Sequence, residues 1–499
     1  MIAFLGYAPD LDSTIPGVMT NCAAVVPTTK GFKAAPIPQS VGQPALSAAC
    51  YGAALVRKTD DTTRLFAGTA STLVEAGSAT WTPRSGTISG LGTTNRWRFA
   101  QFGDTSLAVA KTEILQFITS GTAFAAATST APKGSIIETA NNFVLLFDVN
   151  DQGGIYDSSD RPDGWWCGPK GSDGTGNWVP SVTTEAATGV LRSTAGKITA
   201  GRRFGNQIVA YKLRSAYLGT YVGSPTIWDW QLIPGEAGAL SQECVVNIGT
   251  PEEPKHLFMG WDNFYSFAGG RIVPIGNMTD AGFFSPVRDT VYRELNVQYY
   301  YACMALHDAK NTLVYFFYPT GSAITPDKCV VYNYRTNRWG RDDRTVEQVV
   351  DYSSAGITYD ALGTSYGTYD VLPDAGYDVA FATVGSPLPA IFDTAHVIKT
   401  LSGSGNMGSI TTGDYGDPQA FSDLYRVIPQ FLDAPDSANM VSYYRDLLSD
   451  DLTTGETVPY ASGRFDMLRS ARWHRARFDM VGDFEITGFT PYSNEGGEE

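Results

Sequence analysis

The sequence predicts an all-β protein, and within that class a β-propeller with additional C-terminal β structure. The 499 residues include 52 Gly and 27 Pro together with 26 Tyr, 25 Phe and 10 Trp, but only 17% are charged. Turn formers and aromatic residues without long helix-forming stretches favour many short strands. Hydrophobic residues make up 43% of the chain, which is enough for a packed core and excludes general disorder.

A turn residue followed by an apolar or aromatic strand recurs along the chain. Its turn markers are Asp104, Asn142, Asn206, Asp262 and Asn311, which are 38, 64, 56 and 49 residues apart. A repeat of roughly 40 to 50 residues built from short strands is typical of propeller blades. A pair of β-sandwiches is the alternative, since their turns also recur every ~8–12 residues.

A second recurring pattern is a polar turn that ends in tryptophan. Residues 94–97 and 336–339 share the identical tetrad Thr-Asn-Arg-Trp. In a propeller, large aromatic side chains fill the wedge between neighbouring blades. We therefore expect Trp97 and Trp339 to be buried between blades.

These patterns divide the chain into four segments. Residues 1–45 are expected to form an N-terminal extended arm and first strand, and residues 46–345 to hold the blades. Residues 346–490 form a C-terminal β region that either closes the propeller or serves as an interaction module. Residues 491–499 are expected to be a flexible acidic tail.

The N-terminal segment argues against secretion and membrane insertion. Residues 1–8 are apolar, but no Lys or Arg precedes Lys30, so they lack the basic start of a secretory signal. The longest purely apolar stretches are far shorter than the roughly 20 residues that span a bilayer. We expect an ordinary first strand and no membrane insertion.

The six cysteines are scattered along the chain, at positions 22, 50, 167, 244, 303 and 329, and none forms a C-x-x-C pair. This density is too low for a disulfide scaffold, so buried reduced thiols are predicted. The four histidines do not lie near a cysteine in the sequence. No structural zinc site and no cofactor are expected.

Charge is distributed unevenly. The chain has a net charge of -15, which argues against tight binding to nucleic acid or anionic lipid. Residues 360–451 contain thirteen Asp, no Glu and three bases, whereas residues 464–477 contain five Arg and one Asp. The arginines either bind phosphate or pair with an acidic surface, that of their own Asp-rich segment or of a neighbouring copy. They form a candidate interface: Arg464, Arg469, Arg472, Arg475 and Arg477.

A serine hydrolase is one function that the motifs raise. Residues 363–367 match the G-x-S-x-G nucleophile elbow around Ser365, with Asp393 and His396 downstream in the hydrolase order. That chemistry requires the serine on a strand-to-helix turn. Pro373 and Gly376 follow instead and cannot continue as a helix. The hydrolase is the weakest of the functions considered, and no catalytic residue is assigned.

Three further motifs are better explained as loops. Residues 403–408 match G-x-G-x-x-G, but a short β-like run follows where a helix is needed. Residues 148–153 copy the first half of an EF-hand loop, but Ser159 stands at the twelfth position. Residues 172–178 faintly resemble the Asp-box turn of sialidase propellers, with the wrong spacing. A non-EF calcium turn and sugar stacking on exposed aromatic residues remain open alternatives.

A further signal lies in residues 7–17, 26–27, 30–31, 96–104, 256–270, 330–340 and 412–417. In these segments the sequence resembles the tail nozzle proteins of short-tailed bacteriophages, the packaged-DNA stabilisation and tail tubular B-like family. The resemblance extends over most of the chain as blade-like strands and carries no catalytic signature.

The resemblance implies a six-bladed propeller that assembles as a homo-hexamer below the portal and head-to-tail adaptor. The implied function is a structural virion protein that retains packaged double-stranded DNA and conducts it during ejection, without tight binding. Tailspikes, fibres or a tail plug would be further partners, and the location would be the virion tail, assembled in the host cytoplasm. Six copies would carry about -90 in total, so an acidic wall would repel phosphate. The candidate acidic lumen or rim comprises Asp414, Asp417, Asp433, Asp436, Asp450 and Asp451.

The first interpretation is thus a non-enzymatic nozzle subunit. The alternative is a carbohydrate-binding or carbohydrate-active propeller, acting as a receptor-binding protein or a glycosidase.

Overall fold

The computed structural model describes residues 1–495 except 61, 78–79, 86–87, 89, 93, 122, 151–159, 277–284 and 354–386. Nearly all regular structure in these residues is β-strand, beside one α-helix, α1 (Arg288–Glu294), and one 3-10 helix (Val297–Ala302). Neither of these two helices of the described chain is long and apolar enough to cross a membrane. The prediction of an all-β propeller is confirmed.

The N-terminal arm is a series of short strands that pair with distant parts of the chain. They are β1 (Ile2–Ala3), β2 (Gly6–Tyr7), β3 (Val18–Ala23), β4 (Val25–Pro27), β5 (Phe32–Ala34) and β6 (Pro38–Ser40).

Within the described residues, six blades are each built from four antiparallel strands that are consecutive in the chain. The first blade comprises β7 (Gly52–Arg57), β8 (Thr63–Gly68), β9 (Leu73–Ala76) and β10 (Trp81–Pro83). The second comprises β11 (Arg98–Phe102), β12 (Thr105–Val109), β13 (Gln116–Ile118) and β14 (Ala125–Ala126). The third comprises β15 (Lys133–Ala140), β16 (Phe143–Asn150), β17 (Asp160–Cys167) and β18 (Ala187–Val190). The fourth blade comprises β19 (Ile198–Phe204), β20 (Gln207–Lys212), β21 (Ala216–Gly223) and β22 (Ile227–Leu232). The fifth comprises β23 (Val245–Asn247), β24 (His256–Met259), β25 (Phe264–Phe267) and β26 (Ile272–Pro274). The sixth comprises β27 (Met304–Asp308), β28 (Leu313–Tyr318), β29 (Lys328–Asn333) and β30 (Arg338–Arg341).

A composite blade closes the ring. Three of its strands, β31 (Gln348–Tyr352), β32 (Leu388–Phe392) and β33 (Ile398–Leu401), follow the sixth blade, and β6 from the N-terminal arm adds the fourth. Strand β31 contacts both β27 and β7, so the last blade meets the first. Gln242 connects the fourth blade to the fifth. Its side-chain amide accepts a hydrogen bond from the backbone N–H of Gly201 on β19 (2.7 Å) and donates one to the Gly201 carbonyl (2.8 Å). Residues 346–490 were expected either to close the propeller or to form an interaction module, and β31–β33 lie in the closing blade, to which the N-terminal arm adds β6.

Large aromatic side chains fill the wedges between blades, as predicted. The two identical tetrads bury their tryptophans at different positions: Trp97 lies just before β11, whereas Trp339 lies on β30. Each indole N–H donates to a backbone carbonyl of the preceding blade, Trp97 to Thr69 (3.0 Å) and Trp339 to Gly276 (3.3 Å). Each ring also packs directly on a glycine. A Cβ on Gly68 would lie 2.2 Å from the Trp97 indole, and a Cβ on Gly276 would lie 2.1 Å from the Trp339 indole.

The C-terminal β structure is a two-sheet sandwich that the N-terminal arm completes. Its strands are β34 (Met407–Thr412), β35 (Tyr415–Gly416), β36 (Ser422–Asp433), β37 (Ser437–Arg445), β38 (Thr453–Pro459), β39 (Phe465–Ala471), β40 (Trp473–Val481) and β41 (Glu485–Glu495). One sheet has the order β4-β5-β41-β36-β39, with β1 on β41, and the other β2-β3-β34-β40-β37-β38, with β35 on β40. Phe4, Phe32, Phe478 and Phe489 pack between the sheets.

The sandwich is joined to the propeller by strand pairing and by side-chain hydrogen bonds, among them one from Arg341 to the Tyr7 hydroxyl (3.0 Å). Strand β30 of the sixth blade pairs with β4 of the sandwich. The carboxylate of Asp10 accepts hydrogen bonds from the backbone N–H groups of Asp289 (2.6 Å) and Thr290 (3.0 Å), and therefore caps helix α1 from the N-terminal arm.

The predicted segments map onto this architecture as follows. Residues 1–45 supply strands to both the sandwich and the closing blade, and residues 46–345 hold the six consecutive blades. Residues 346–490 are split, because β31–β33 close the ring whereas β34–β41 form the sandwich. The expected tail from residue 491 is wrong for residues 491–495, which lie in β41 and pair with β36; residues 496–499 are outside the described chain.

Candidate functional site

The axis of the propeller contains a polar cavity of about 440 Å³. The innermost strands line it with three arginines and three carboxylates: Arg98, Arg202, Arg203, Glu138, Glu243 and Asp351. A second cavity of about 330 Å³ opens from the neighbouring part of the axis, and Arg98 lines both. The axis is therefore a charge-balanced site built from residues far apart in the chain.

An ion pair crosses the axis between the two cavities. Arg98 donates two hydrogen bonds to the carboxylate of Glu243 (2.8 and 3.0 Å) and a third to the Ser135 carbonyl (2.7 Å). Burial of Glu243 opposes its ionisation, but the Arg98 guanidinium outweighs that effect and holds the pKa of Glu243 below its usual value. This pair ties the second blade to the third and fifth blades.

The other two axial carboxyl groups, those of Glu138 and Asp351, have pKa values above their usual range. Desolvation by the protein around the axis raises the pKa of the half-buried Glu138 and of Asp351, whose side chain is exposed to the cavity, and the charge of Arg202 offsets only part of each increase. Arg202 donates to the Gln242 carbonyl (2.9 Å), while its Nε has no hydrogen-bond partner among the described residues. Such a group of carboxyl and guanidinium side chains can bind a polar ligand, and carboxyl groups with raised pKa values can donate protons.

The axial residues do not form a metal centre. In the part of the chain that the structure describes, no three His, Cys, Asp or Glu side chains lie together as metal ligands would.

All six cysteines, each of them described, are free and buried, as the sequence predicts.

On the sandwich, Asp414 is the centre of a buried ionic cluster. Arg475 donates two hydrogen bonds to its carboxylate (2.8 and 3.0 Å), Arg445 donates one (2.6 Å), and the hydroxyl of Ser13 donates another (2.6 Å). Burial opposes ionisation of Asp414, but these partners hold the pKa of its carboxyl below the usual range.

This cluster corrects two of the predicted site residues. Asp414 is only 4% exposed and cannot belong to an acidic lumen or rim. Arg475 is paired with the Asp-rich segment of its own chain, so its charge is not free to form a seam with another copy. Pairing within the chain is favoured because a buried carboxylate requires a close partner.

The other four arginines of the predicted interface lie nearer the surface and also have partners in the chain. Arg464 donates to Asp466 (2.8 Å) and Arg469 to Glu456 (3.4 Å). Arg472 lies over the ring of Phe421 (4.9 Å), and Arg477 donates to Asp479 (2.8 Å). These residues are on β39, β40 and the turns that precede them.

The five remaining aspartates of the predicted acidic surface are exposed. Asp417 follows β35, Asp433 is the last residue of β36, Asp436 lies in the turn before β37, and Asp450 and Asp451 lie in the β37–β38 loop. Asp417 and the β37–β38 loop lie at the same end of one sheet, because Gly416 and Arg445 both pair with Trp473.

The residues of the other sequence motifs, where the structure describes them, lie in ordinary turns and strands of the propeller and the sandwich. Ser365 and its elbow, and the calcium-type loop after Asn150, lie outside the described residues. Asp393 and His396 lie in the β32–β33 turn, where His396 Nδ1 hydrogen-bonds Glu347 (2.8 Å). No helix follows residues 403–408, because β34 begins at Met407. Trp178 of the Asp-box-like segment is buried against Trp166.

Sequence reasoning missed the axial residues. Their one local signal is a charged residue within an otherwise apolar or small-residue strand, as with Glu138 after Ile136 and Ile137 on β15. That signal is weak, because a charged residue on a strand is usually explained by a solvated face.

Comparison with known proteins gives structural neighbours only. No protein-family model matches the chain, and no curated protein matches it. Among solved structures, apo AztD from Citrobacter koseri is 10% identical, with 96% of this chain and 99% of that chain covered and a TM-score of 0.36. The exo-β-1,3-galactanase from Phanerochaete chrysosporium with galactose is 7% identical (92% and 100% covered, TM-score 0.28), and a glycoside hydrolase is 11% identical (92% and 100%, TM-score 0.24). Likeness at this level carries no inference about what the present chain does.

Proposed function

We propose that the protein is a structural subunit of the tail nozzle of a short-tailed bacteriophage. In this role it assembles into a ring below the adaptor and portal, retains the packaged DNA and conducts it during ejection. The sequence resemblance supports this proposal, and so does the pairing of a propeller with a separate sandwich whose surface is suited to assembly.

The observation that carries the proposal is the concentration of exposed apolar side chains on the sandwich. In the described chain, sixteen large apolar residues are exposed, and nine of them belong to the sandwich, although it holds about a quarter of the residues. They are Met1, Leu5, Met407, Leu432, Leu447, Leu448, Leu468, Val481 and Tyr492. Contiguous exposed apolar side chains mark protein interfaces, and two such pairs are present: Met407 lies opposite Val481 in the strand pairing, and Leu447 adjoins Leu448 in one loop.

The propeller axis does not itself serve as the DNA path in this proposal. Its cavities are far too small for a double helix, and the Arg98–Glu243 pair crosses between them. DNA would therefore pass through the lumen between copies, where a chain of net charge -15 repels phosphate.

The test is the mass and shape of particles in solution. The purified protein, alone and mixed with its adaptor ring, is examined by mass photometry and negative-stain electron microscopy. Closed rings, on their own or on the adaptor, are expected, together with weak and salt-sensitive DNA binding. A protein that stays monomeric under both conditions contradicts the proposal.

A second candidate is a carbohydrate-binding or carbohydrate-active propeller, and the axial carboxyl groups favour it. Glu138 and Asp351, with raised pKa values, face one cavity together with Arg202. Carboxyl groups of this kind bind sugar hydroxyls and, as a pair of acid and base, hydrolyse glycosidic bonds. Saturable sugar binding or glycan hydrolysis that is lost in Glu138→Gln and Asp351→Asn, but kept in the exposed control Asp433→Asn, would favour this candidate over the nozzle.

A further inference from the structure

One end of the sandwich carries an apolar tip surrounded by acidic residues. The loop between β37 and β38, residues 446–452, exposes Leu447 (53%) and Leu448 (44%). Asp446, Asp450 and Asp451 of the same loop are exposed beside them. We name residues 446–452 the acidic leucine loop.

The acidic leucine loop is held in one conformation from beneath. Arg445, which is bonded to the buried Asp414, also donates to the carbonyls of Leu448 (2.6 Å) and Asp450 (3.2 Å). The carboxylate of Asp450 accepts from the Leu447 N–H (3.2 Å). Because these bonds order the loop before any partner arrives, little conformational entropy is lost on docking.

A complementary surface lies on the outer side of β36, β39 and β41. Leu468 is 69% exposed there, on the same side of β39 as Asp466, since side chains two residues apart share a face. Asp466 accepts from both Arg426 (2.8 Å) and Arg464 (2.8 Å), and Arg426 is paired across the sheet with Tyr492. We name Arg426, Arg464, Leu468 and Tyr492 the basic leucine face.

The two surfaces match in polarity and charge. Each has exposed leucine; the loop has three carboxylates, whereas the face has two guanidinium groups that share the single carboxylate of Asp466 beside it. Contact between two loops, or between two faces, would place like charges together, which is unfavourable. Contact between a loop and a face brings opposite charges together around an apolar centre.

We infer that the acidic leucine loop of one copy docks on the basic leucine face of the next copy. Because the two surfaces differ, the contact is head-to-tail. It generates a closed ring when the rotation from each copy to the next adds up to one full turn. The inference deepens the proposed nozzle function and rests on it for ring closure, whereas the contact itself follows from the two surfaces.

The contact is tested by disulfide formation between two different chains. Leu448→Cys is placed in a chain with one affinity tag and Leu468→Cys in a chain with another. The six native cysteines are buried, so the introduced thiols are the accessible ones. After mild oxidation of the mixture we expect a disulfide-linked heterodimer at least about tenfold more abundant than in a control pair, because docking raises the effective thiol concentration. The control pair joins Leu468→Cys with Val222→Cys, which lies on an exposed position of β21 in the propeller.

Two results of this experiment would overturn the inference. One is a heterodimer no more abundant than the control. The other is a dominant Leu448→Cys homodimer, which would indicate a two-fold contact between loops.

Charge reversal separates this inference from the proposed function. Asp446→Lys/Asp451→Lys in the loop, or Arg426→Glu/Arg464→Glu in the face, should each weaken assembly at least about tenfold, and the two sets combined in one chain should restore most of it. Circular dichroism and thermal unfolding of each variant verify that it is folded. Rings that form equally well with either single set would refute the docking contact and leave the nozzle proposal standing. A Leu448→Cys and Leu468→Cys pair that cross-links between loop and face, together with wild-type protein that never closes into rings even on the adaptor, would support the contact and contradict the nozzle.

Discussion

Acidification is expected to weaken the joint between the fourth and fifth blades, because His256 is buried there in its neutral form. Its Nε2 lies 2.9 Å from the Arg203 carbonyl, which can only accept, so this nitrogen carries the proton. Its Nδ1 then accepts from the Tyr211 hydroxyl (2.8 Å). Burial, with a smaller contribution from the charge of Arg202, lowers the pKa of His256 from 6.5 to about 4.

The sign and size of the effect follow from proton linkage. Between pH 6.5 and about 4 the unfolded chain binds a proton at His256 and the folded chain does not. The free energy of unfolding therefore falls as the pH is lowered through this window. One pKa unit corresponds to about 1.4 kcal/mol, so the group accounts for a loss of about 2 kcal/mol between pH 7 and pH 4.5.

The measurement is urea unfolding of the wild type and of His256→Gln at intervals from pH 7 to pH 4.5. Glutamine retains a donor and an acceptor but does not titrate, so subtracting the two pH profiles removes the contribution of every other group. The variant should be less stable at pH 7 and should lose about 2 kcal/mol less than the wild type on acidification. Parallel profiles for the two proteins would refute the argument from the burial of His256.

Three further outcomes are expected from the packing and charges of the fold. Asp414→Asn leaves the guanidinium groups of Arg445 and Arg475, whose side chains are 13% and 14% exposed, without their carboxylate. It should lower the free energy of unfolding of the sandwich by about 3 kcal/mol, measured by urea titration; an unchanged midpoint would show that the cluster is not stabilising. Trp339→Ala removes a fully buried wedge side chain and should cost about 4 kcal/mol, measured as a lower thermal midpoint, and a shift of a degree or less would contradict that role. Gly68→Ala would place a Cβ 2.2 Å from the Trp97 ring and should cost about 2 kcal/mol, while the control Gly121→Ala, where the nearest atom is 3.8 Å away, should leave the midpoint nearly unchanged.

The architecture was predictable where it depends on local chemistry. Turn residues before apolar strands indicated the blades, and the buried Trp97 and Trp339 occupy the wedges expected of them. The Asp-rich segment and the Arg cluster were expected to pair with each other or with a neighbour, and Asp414 and Arg475 do pair within the chain. These features were accessible because turn formation, strand propensity and charge compensation follow from residue type.

The candidate sites were less accessible, because their members come together only through distant strand pairing. Arg98 and Glu243 are 145 residues apart, and the axis is lined only when all the innermost strands converge. The basic leucine face likewise needs Arg426 beside Tyr492 and Asp466, a register that β36 sets with β41 and β39. No short-range pattern records which strands become neighbours.

Composition and local pattern were thus sufficient to establish an acidic, all-β chain with blade-like repeats, buried thiols and aromatic wedges. The closing of the ring by β6, the joining of both chain ends in one sandwich and the burial of Asp414 required the folded structure. The reason is physical: local propensities act over a few residues, whereas pairing residue 2 with residue 489 depends on whether the whole packed chain offsets the entropy of closing so long a loop.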